Sequence, residues 1–215
     1  MKFILTCFCL IIFSALLCAQ TPEQALATAN GQKFTVKELP PPIAKAFTDL
    51  SKTVAEMRKA LVEQQIVETL FEMEAKAKNL PLEKFLAQIK AKVPAPSEKD
   101  IQAAYDANRE TIGDRTLAEV RPQIVGFLRQ EPEQKALLAT FNALRTKYKV
   151  TIGKDVNALS LKPVDILATV GAKTISVKDF DAKNRLDLYE AKAKVFDAVK
   201  FALNEMIFNA RMERP

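Results

Sequence analysis

The side chains that could do chemistry in this chain are nearly all carboxylates. Histidine is absent from its 215 residues. That removes the usual general base, the usual imidazole metal ligand and every Ser–His or Cys–His pairing. Cysteine occurs as Cys7, Cys9 and Cys18 and nowhere later in the chain. A zinc site of Cys and His is thereby excluded beyond residue 18, and so is a Cys-x-x-Cys redox pair. Acid–base work by carboxylates such as Glu68, Glu72 and Glu74 is what remains. Glu68 and Glu72 are spaced to share a helix face, but so are solvated pairs on any helical surface. Nothing in the surrounding sequence raises them above that background. The expectation is a protein with no catalytic residue, no metal ligand and no cofactor.

The elements that would position any site begin after the first nineteen residues. Lys2 precedes an almost wholly apolar run from Phe3 to Leu17, and Leu17-Cys18-Ala19 ends in a small residue. This pattern predicts a signal peptide over 1–19, cleaved after Ala19. The other reading is a retained anchor, for which the run falls short of the roughly 20 apolar residues that a spanning helix needs. Cleavage places the mature chain in the periplasm or outside the cell, with no stable membrane span. All three cysteines leave with the signal, so apolar burial and not disulfides must hold the fold. The net charge is +6, with acidic and basic residues interleaved. Nucleic-acid binding would want a basic stripe or an aromatic platform, and neither is present.

Scarce glycine and abundant Ala, Lys, Glu, Gln and Leu favour helix, so the fold class is mainly α. Asn30-Gly31 between two short extended runs predicts a β-hairpin, and Pro40-Pro41-Pro42 bars helix until after it. Val54, Met57, Leu61, Ile66, Leu70, Met73 and Ala77 recur at helical spacing, predicting a long helix over 43–79. A shorter helix over 82–93 carries Phe85, Leu86 and Ile89, and Pro94-Ala95-Pro96 reads as a hinge-like break. Ser97 with Asp100 and Thr116 with Glu119 mark two further helix starts. The segment 117–148 is helical in pattern, with a bend or restart expected at Pro122 and again at Pro132. YKVTI, from Tyr148, alternates like a strand that could join the edge of the hairpin, and 157–164 is linker-like.

One phrase occurs twice. ATANGQKFTVKEL starts at Ala27 and ATVGAKTISVKDF at Ala168, aligned without a gap. Each is followed by an amphipathic helical stretch, the second over 186–212. Self-similarity of this kind predicts a duplicated unit whose second copy is partial, a hairpin and one long helix. One amphipathic helix cannot cover both its sides. It must dock on the first copy, exchange with another chain, or meet sequence beyond Pro215, and a truncated longer protein is among the expectations.

The order of segments resembles the peptide-binding module of SurA-type periplasmic chaperones, related to the helical chaperone parts of PpiD and trigger factor. The resemblance is carried by ANGQKFTVKEL, ALVEQQIVETLFEMEAKAKNL, PSEKDIQAAYDAN, and LAEVRPQIVGFLRQ with its continuation to YKVTI, over about 25–152. Pro132 departs from it, where relatives continue a helix. Relatives of this type usually insert a parvulin isomerase domain between the third and fourth of these segments. Here only RETIGDRT separates Asn108 from Leu117, and parvulin sites use histidine, which this chain lacks. The resemblance therefore implies the chaperone body without the isomerase: a long-helix module with short β-hairpins over 20–153, a linker over 154–165, and the partial repeat over 166–215. It implies binding of unfolded or extended exported polypeptides in apolar grooves between helices. Met57, Phe71, Met73, Phe85 and Phe127 are the expected lining. Two alternatives stand beside it. One is a fragment of an isomerase-related or thioredoxin-fused protein without its catalytic domain; the other is an assembly protein that forms a homodimer by helix exchange.

Overall fold

A computed structural model describes residues 25–29 and 31–212, so the predicted signal peptide over 1–19 lies outside the described residues. The fold is mainly helical with two small antiparallel sheets. Two compact units divide the described chain: residues 25–52 with 191–212, and Thr53–Glu190. Each has its own apolar interior.

The first unit opens with β1 (Ala25–Ala29) and β2 (Gln32–Thr35), joined through Gly31 at φ +79°. A 3-10 turn, Val36–Glu38, follows. The hydroxyl of Thr35 accepts from the Lys37 backbone N–H at 3.2 Å, and Glu38 accepts from the Thr35 N–H at 2.6 Å, which fixes the turn's entry. Pro40 to Pro42 end the turn but do not bar helix as the sequence predicts: α1 (Pro41–Thr48) starts inside the run, with proline in its first turn, where no backbone donor is missed. A turn at Asp49 then divides the single helix expected over 43–79. Val36, Leu39, Phe47, Val199 and Ala202 are the buried interior, with Ile43, Val195, Leu203 and Met206 packed around them. Phe47 meets Phe196 edge to face, 6.2 Å between ring centres.

The second unit is built on α2 (Leu50–Ala77), whose residues from Thr53 onward belong to it. Val62, Ile66 and Leu70 recur every four residues and are buried, with Phe71 and Ala75 widening the face. The turn after α2 places Asn79 at φ +53°, a left-handed position that asparagine tolerates. Then come α3 (Leu82–Ala91), α4 (Glu98–Ala107), the single turn α5 (Arg109–Ile112) and α6 (Leu117–Lys147). The predicted starts of α4 and α6 are present. Ser97 accepts from the Asp100 N–H, and Thr116 and Glu119 form a reciprocal box. β3 (Thr151–Ile152), β4 (Ile166–Val170) and β5 (Lys173–Ser176) form a three-stranded sheet, and α7 (Val177–Met212) follows without a break. Leu167, Ala168, Val170, Ile175 and Phe180 join the α2 face in one core, and Ile101, Tyr105, Val120 and Ile124 make a smaller one between α4 and α6.

The last helix starts at Val177 and not at the expected 186, and three further expectations change. First, α6 continues through both Pro122 and Pro132 without restarting. Each proline withholds one backbone donor from a helix of 31 residues, and side-chain packing on either side of each outweighs that loss. Second, YKVTI joins the second hairpin and not the first: Thr151 pairs with Thr169 and Ile152 with Ala168. Gly153 lets it do so, because a Cβ there would lie 2.2 Å from the carbonyl oxygen of Ile166. Third, the linker-like stretch is tied down. Val156 is buried, its carbonyl accepts from Arg58 at 2.9 and 3.1 Å, and the Asn157 amide donates to the Ala55 carbonyl at 3.0 Å. An irregular backbone remains there because these bonds satisfy it in place of a ladder.

Candidate functional site

An open hollow in the second unit lies between the α3–α4 connection and α6. Its volume is about 490 Å³, and Pro94, Pro96, Asp100, Ala103, Ala104, Leu128, Arg129 and Pro132 line it. Two prolines stiffen one wall, since each fixes its own φ. The other wall is α6, tied to the end of α3 through Arg129. Arg129 donates to the carbonyls of Lys90 at 2.9 Å and Val93 at 3.2 Å, and to Glu133 at 2.9 Å. It thus adds a positive charge at the carbonyl end of α3, the sign a helix C-terminus favours. Lys90 also lies 3.5 Å from Glu133. The far wall is braced by a bidentate pair between Arg121 on α6 and Glu98 on α4. The lining therefore combines small apolar side chains, a rim stiffened by proline and two charged residues, Asp100 and Arg129.

None of the five residues that the sequence nominates for the groove lines this hollow. Phe71 and Phe85 meet in the main core, ring centres 6.2 Å apart. Met57 and Met73 pack against that same core from partly buried positions. Phe127 alone of the five is displayed, 66% exposed, one residue before Leu128. Leu138, three helical turns further along α6, is also mostly exposed. Sequence reasoning missed Ala103, Ala104, Leu128 and Arg129. A signal existed in Pro94-Ala95-Pro96 and Pro132, which were read for their effect on the backbone and not for the surface they make.

Glu68 and Glu74 are committed to ion pairs. Glu74 is buried and accepts from Lys147 and, at 2.9 Å, from the Tyr148 hydroxyl, with Lys78 at 3.4 Å. The Lys147 hydrogen bond holds its carboxyl below the ordinary value, and Tyr148 and Lys78 add to that against the opposing effect of burial. Burial and the bond to Glu74 push the Tyr148 phenol up. Glu68 is bound by Lys183 and by Gln64 at 3.0 Å, and the Lys183 bond lowers it. Glu72 is exposed. A carboxylate held ionised by a cation is a poor proton acceptor, so these groups act as latches between elements. Among the described residues no group of three or more His, Cys, Asp and Glu could hold a metal ion, and no helix is long and apolar enough to cross a membrane. No family model, no curated protein and no solved structure matches this chain.

Proposed function

We propose that the protein is an exported, non-enzymatic chaperone-like binder of extended or unfolded polypeptide, holding short apolar segments in the hollow between the α3–α4 connection and α6. The observation that supports this reading is the lining itself. Small apolar and proline side chains leave room for a client's larger ones, and Asp100 and Arg129 give the hollow a polar edge. Phe127, beside Leu128 in sequence, supplies a displayed aromatic surface of the kind such binding uses. The volume suits a few side chains and not a folded partner, so affinity for any one segment would be low and selectivity loose. Export rests on the reading of residues 1–19.

The test is suppression of aggregation of a chemically denatured protein on dilution. Ala103 and Phe127 are both exposed, so Ala103→Glu and Phe127→Asp leave the interior intact. The double variant is expected to lose at least about tenfold in suppressing potency, roughly the effect of placing charge in an apolar contact. Equal potency of the double variant and the parent, with unchanged helical circular dichroism, would remove the groove as the binding surface.

A further inference from the structure

The C-terminal half of α7 buries an apolar stripe and displays two phenylalanines on its opposite side. Its inner stripe, Val195, Val199, Ala202 and Met206, packs with α1 and the first hairpin in the first unit. Two residues further along, a helix has turned about 200°. The stripe shifted by two is Asp197, Phe201, Asn204 and Phe208, Arg211 continues it three residues on, and all five are exposed. Phe201 and Phe208 are 65% and 61% exposed. Their spacing alternates four and three, the seam of two helices packing side by side.

The order of residue types along that seam is what identifies the occupant. An acid stands at its N-terminal end, a base at its C-terminal end, an asparagine at the centre and a phenylalanine on each side of it. Turned end for end, the stripe complements itself. We infer that this seam is a homodimer interface in which α7 of one chain packs antiparallel against α7 of a second copy. The two-fold axis falls beside Asn204 and Glu205. Phe201 of each chain then lies level with Phe208 of the other, the two Asn204 amides meet at the axis, and Asp197 of each approaches Arg211 of the other. Self-complementarity of this kind is what an isologous contact requires, and a single polar residue within an apolar seam sets its register. A parallel pairing is disfavoured, because it would place Asp197 against Asp197 and Arg211 against Arg211. This contact keeps α7 within its own chain and so differs from helix exchange. It uses residues 197–211, apart from the groove lining, so either reading can fail without the other.

Sedimentation equilibrium of the purified chain tests the mass, with a concentration-dependent dimer expected. Phe201→Glu and Phe208→Glu should each weaken it at least about tenfold while helical circular dichroism is unchanged. Asp197→Lys should weaken it, and Asp197→Lys with Arg211→Glu should restore it. Orientation is read from cysteine cross-linking in a background of Cys7→Ser, Cys9→Ser and Cys18→Ser. Asn204→Cys should form a symmetric disulfide readily. Asp197→Cys should not, since the two copies of that position lie about 22 Å apart along the axis. A monomer at every concentration overturns the inference. So does a dimer indifferent to the charge swap, or an Asp197→Cys variant that cross-links as fast as Asn204→Cys. A monomer whose Phe201→Glu form loses aggregation suppression would assign the seam to clients instead.

Discussion

The hairpins β1–β2 and β4–β5 are the same object locally and different objects in their surroundings. In the first, Ala25 pairs with Thr35, then Ala27 with Phe34, with a register shift between them. In the second, Ile166 pairs with Ser176, then Ala168 with Ile175, with the shift at the corresponding place. Both turns hold a glycine at positive φ, Gly31 and Gly171. Both end in a hydroxyl that meets an acid three residues on, Thr35 with Glu38 and Ser176 with Asp179. Beyond that they diverge. The first stays two-stranded and β1 has no buried residue; the second gains β3, and three of the five residues of β4 are buried. The cap of the first leads into a 3-10 turn that the proline run stops, whereas the cap of the second leads directly into a helix of 36 residues. A dozen residues are enough to specify turn, register and cap. What covers the result is decided by residues far away in the chain.

The largest expected effect tests that division at one matched position, where Leu39 corresponds to Phe180. Both are buried, but Phe180 sits in the large interior with no exposed surface and lies under the Arg58 guanidinium, 5.2 Å from its ring centre. Leu39 belongs to a core of five buried residues. Phe180→Ala should cost about 3–5 kcal/mol, and Leu39→Ala about 2–3 kcal/mol because a small core collapses more easily round the gap. Urea denaturation followed by circular dichroism measures both. Equal costs would mean that the two hairpins are equally dependent on their surroundings.

This pairing also shows what was legible beforehand. The hairpins, the caps at Thr116 and Ser97 and the apolar face of α2 are encoded within a few residues of where they act, and the sequence pattern suffices for them. Phe71 and Phe85 are different. Periodicity says that they face inward, not whether the space they face is filled or hollow, and here they fill it with each other. The partner of YKVTI was equally out of reach, since two hairpins of the same register offer it similar edges. Gly153 decides between them only once the approach of the Ile166 carbonyl is known. The continuity of α6 through two prolines depends on Arg129 and on packing from α3 and α4, neither of which leaves a local mark.

The second effect is a pH dependence carried by the Glu74 link behind the second hairpin. Its turn is held by the Gly171 N–H donating to the Tyr148 carbonyl at 2.8 Å, and Tyr148 is held in turn by Glu74. The carboxyl of Glu74 is lower in the folded protein than in the unfolded chain. The folded state therefore binds fewer protons between the two values, and stability rises with pH across that interval. Its contribution is complete above the unfolded value of about 4.3 and is lost as pH falls through the lower folded one. Glu74→Gln should cost about 1–3 kcal/mol at neutral pH, moderated because Lys147 is half exposed. The difference between parent and variant should shrink as pH falls below about 4. Thermal melts at pH 7 and pH 3 measure it. A difference that stays constant with pH would show that packing, and not charge, joins Glu74 to Tyr148.

The smallest effect should be the most alike in the two hairpins. The Thr35 hydroxyl accepts from Lys37 N–H at 3.2 Å, and the Ser176 hydroxyl accepts from Asp179 N–H at 3.2 Å. Each bond satisfies a donor that the following turn leaves open, and each lies at the surface, where water can replace it. Thr35→Ala and Ser176→Ala should each lower the melting temperature by only about 2–4 °C. The two shifts should agree more closely than those of Leu39→Ala and Phe180→Ala, since the hydroxyls act only on neighbours that both copies share. A much larger loss for Ser176→Ala would mean that α7, which starts at that cap, depends on its first turn. The long helix would then owe its start to the local signal and not to the core that Phe180 enters one turn later.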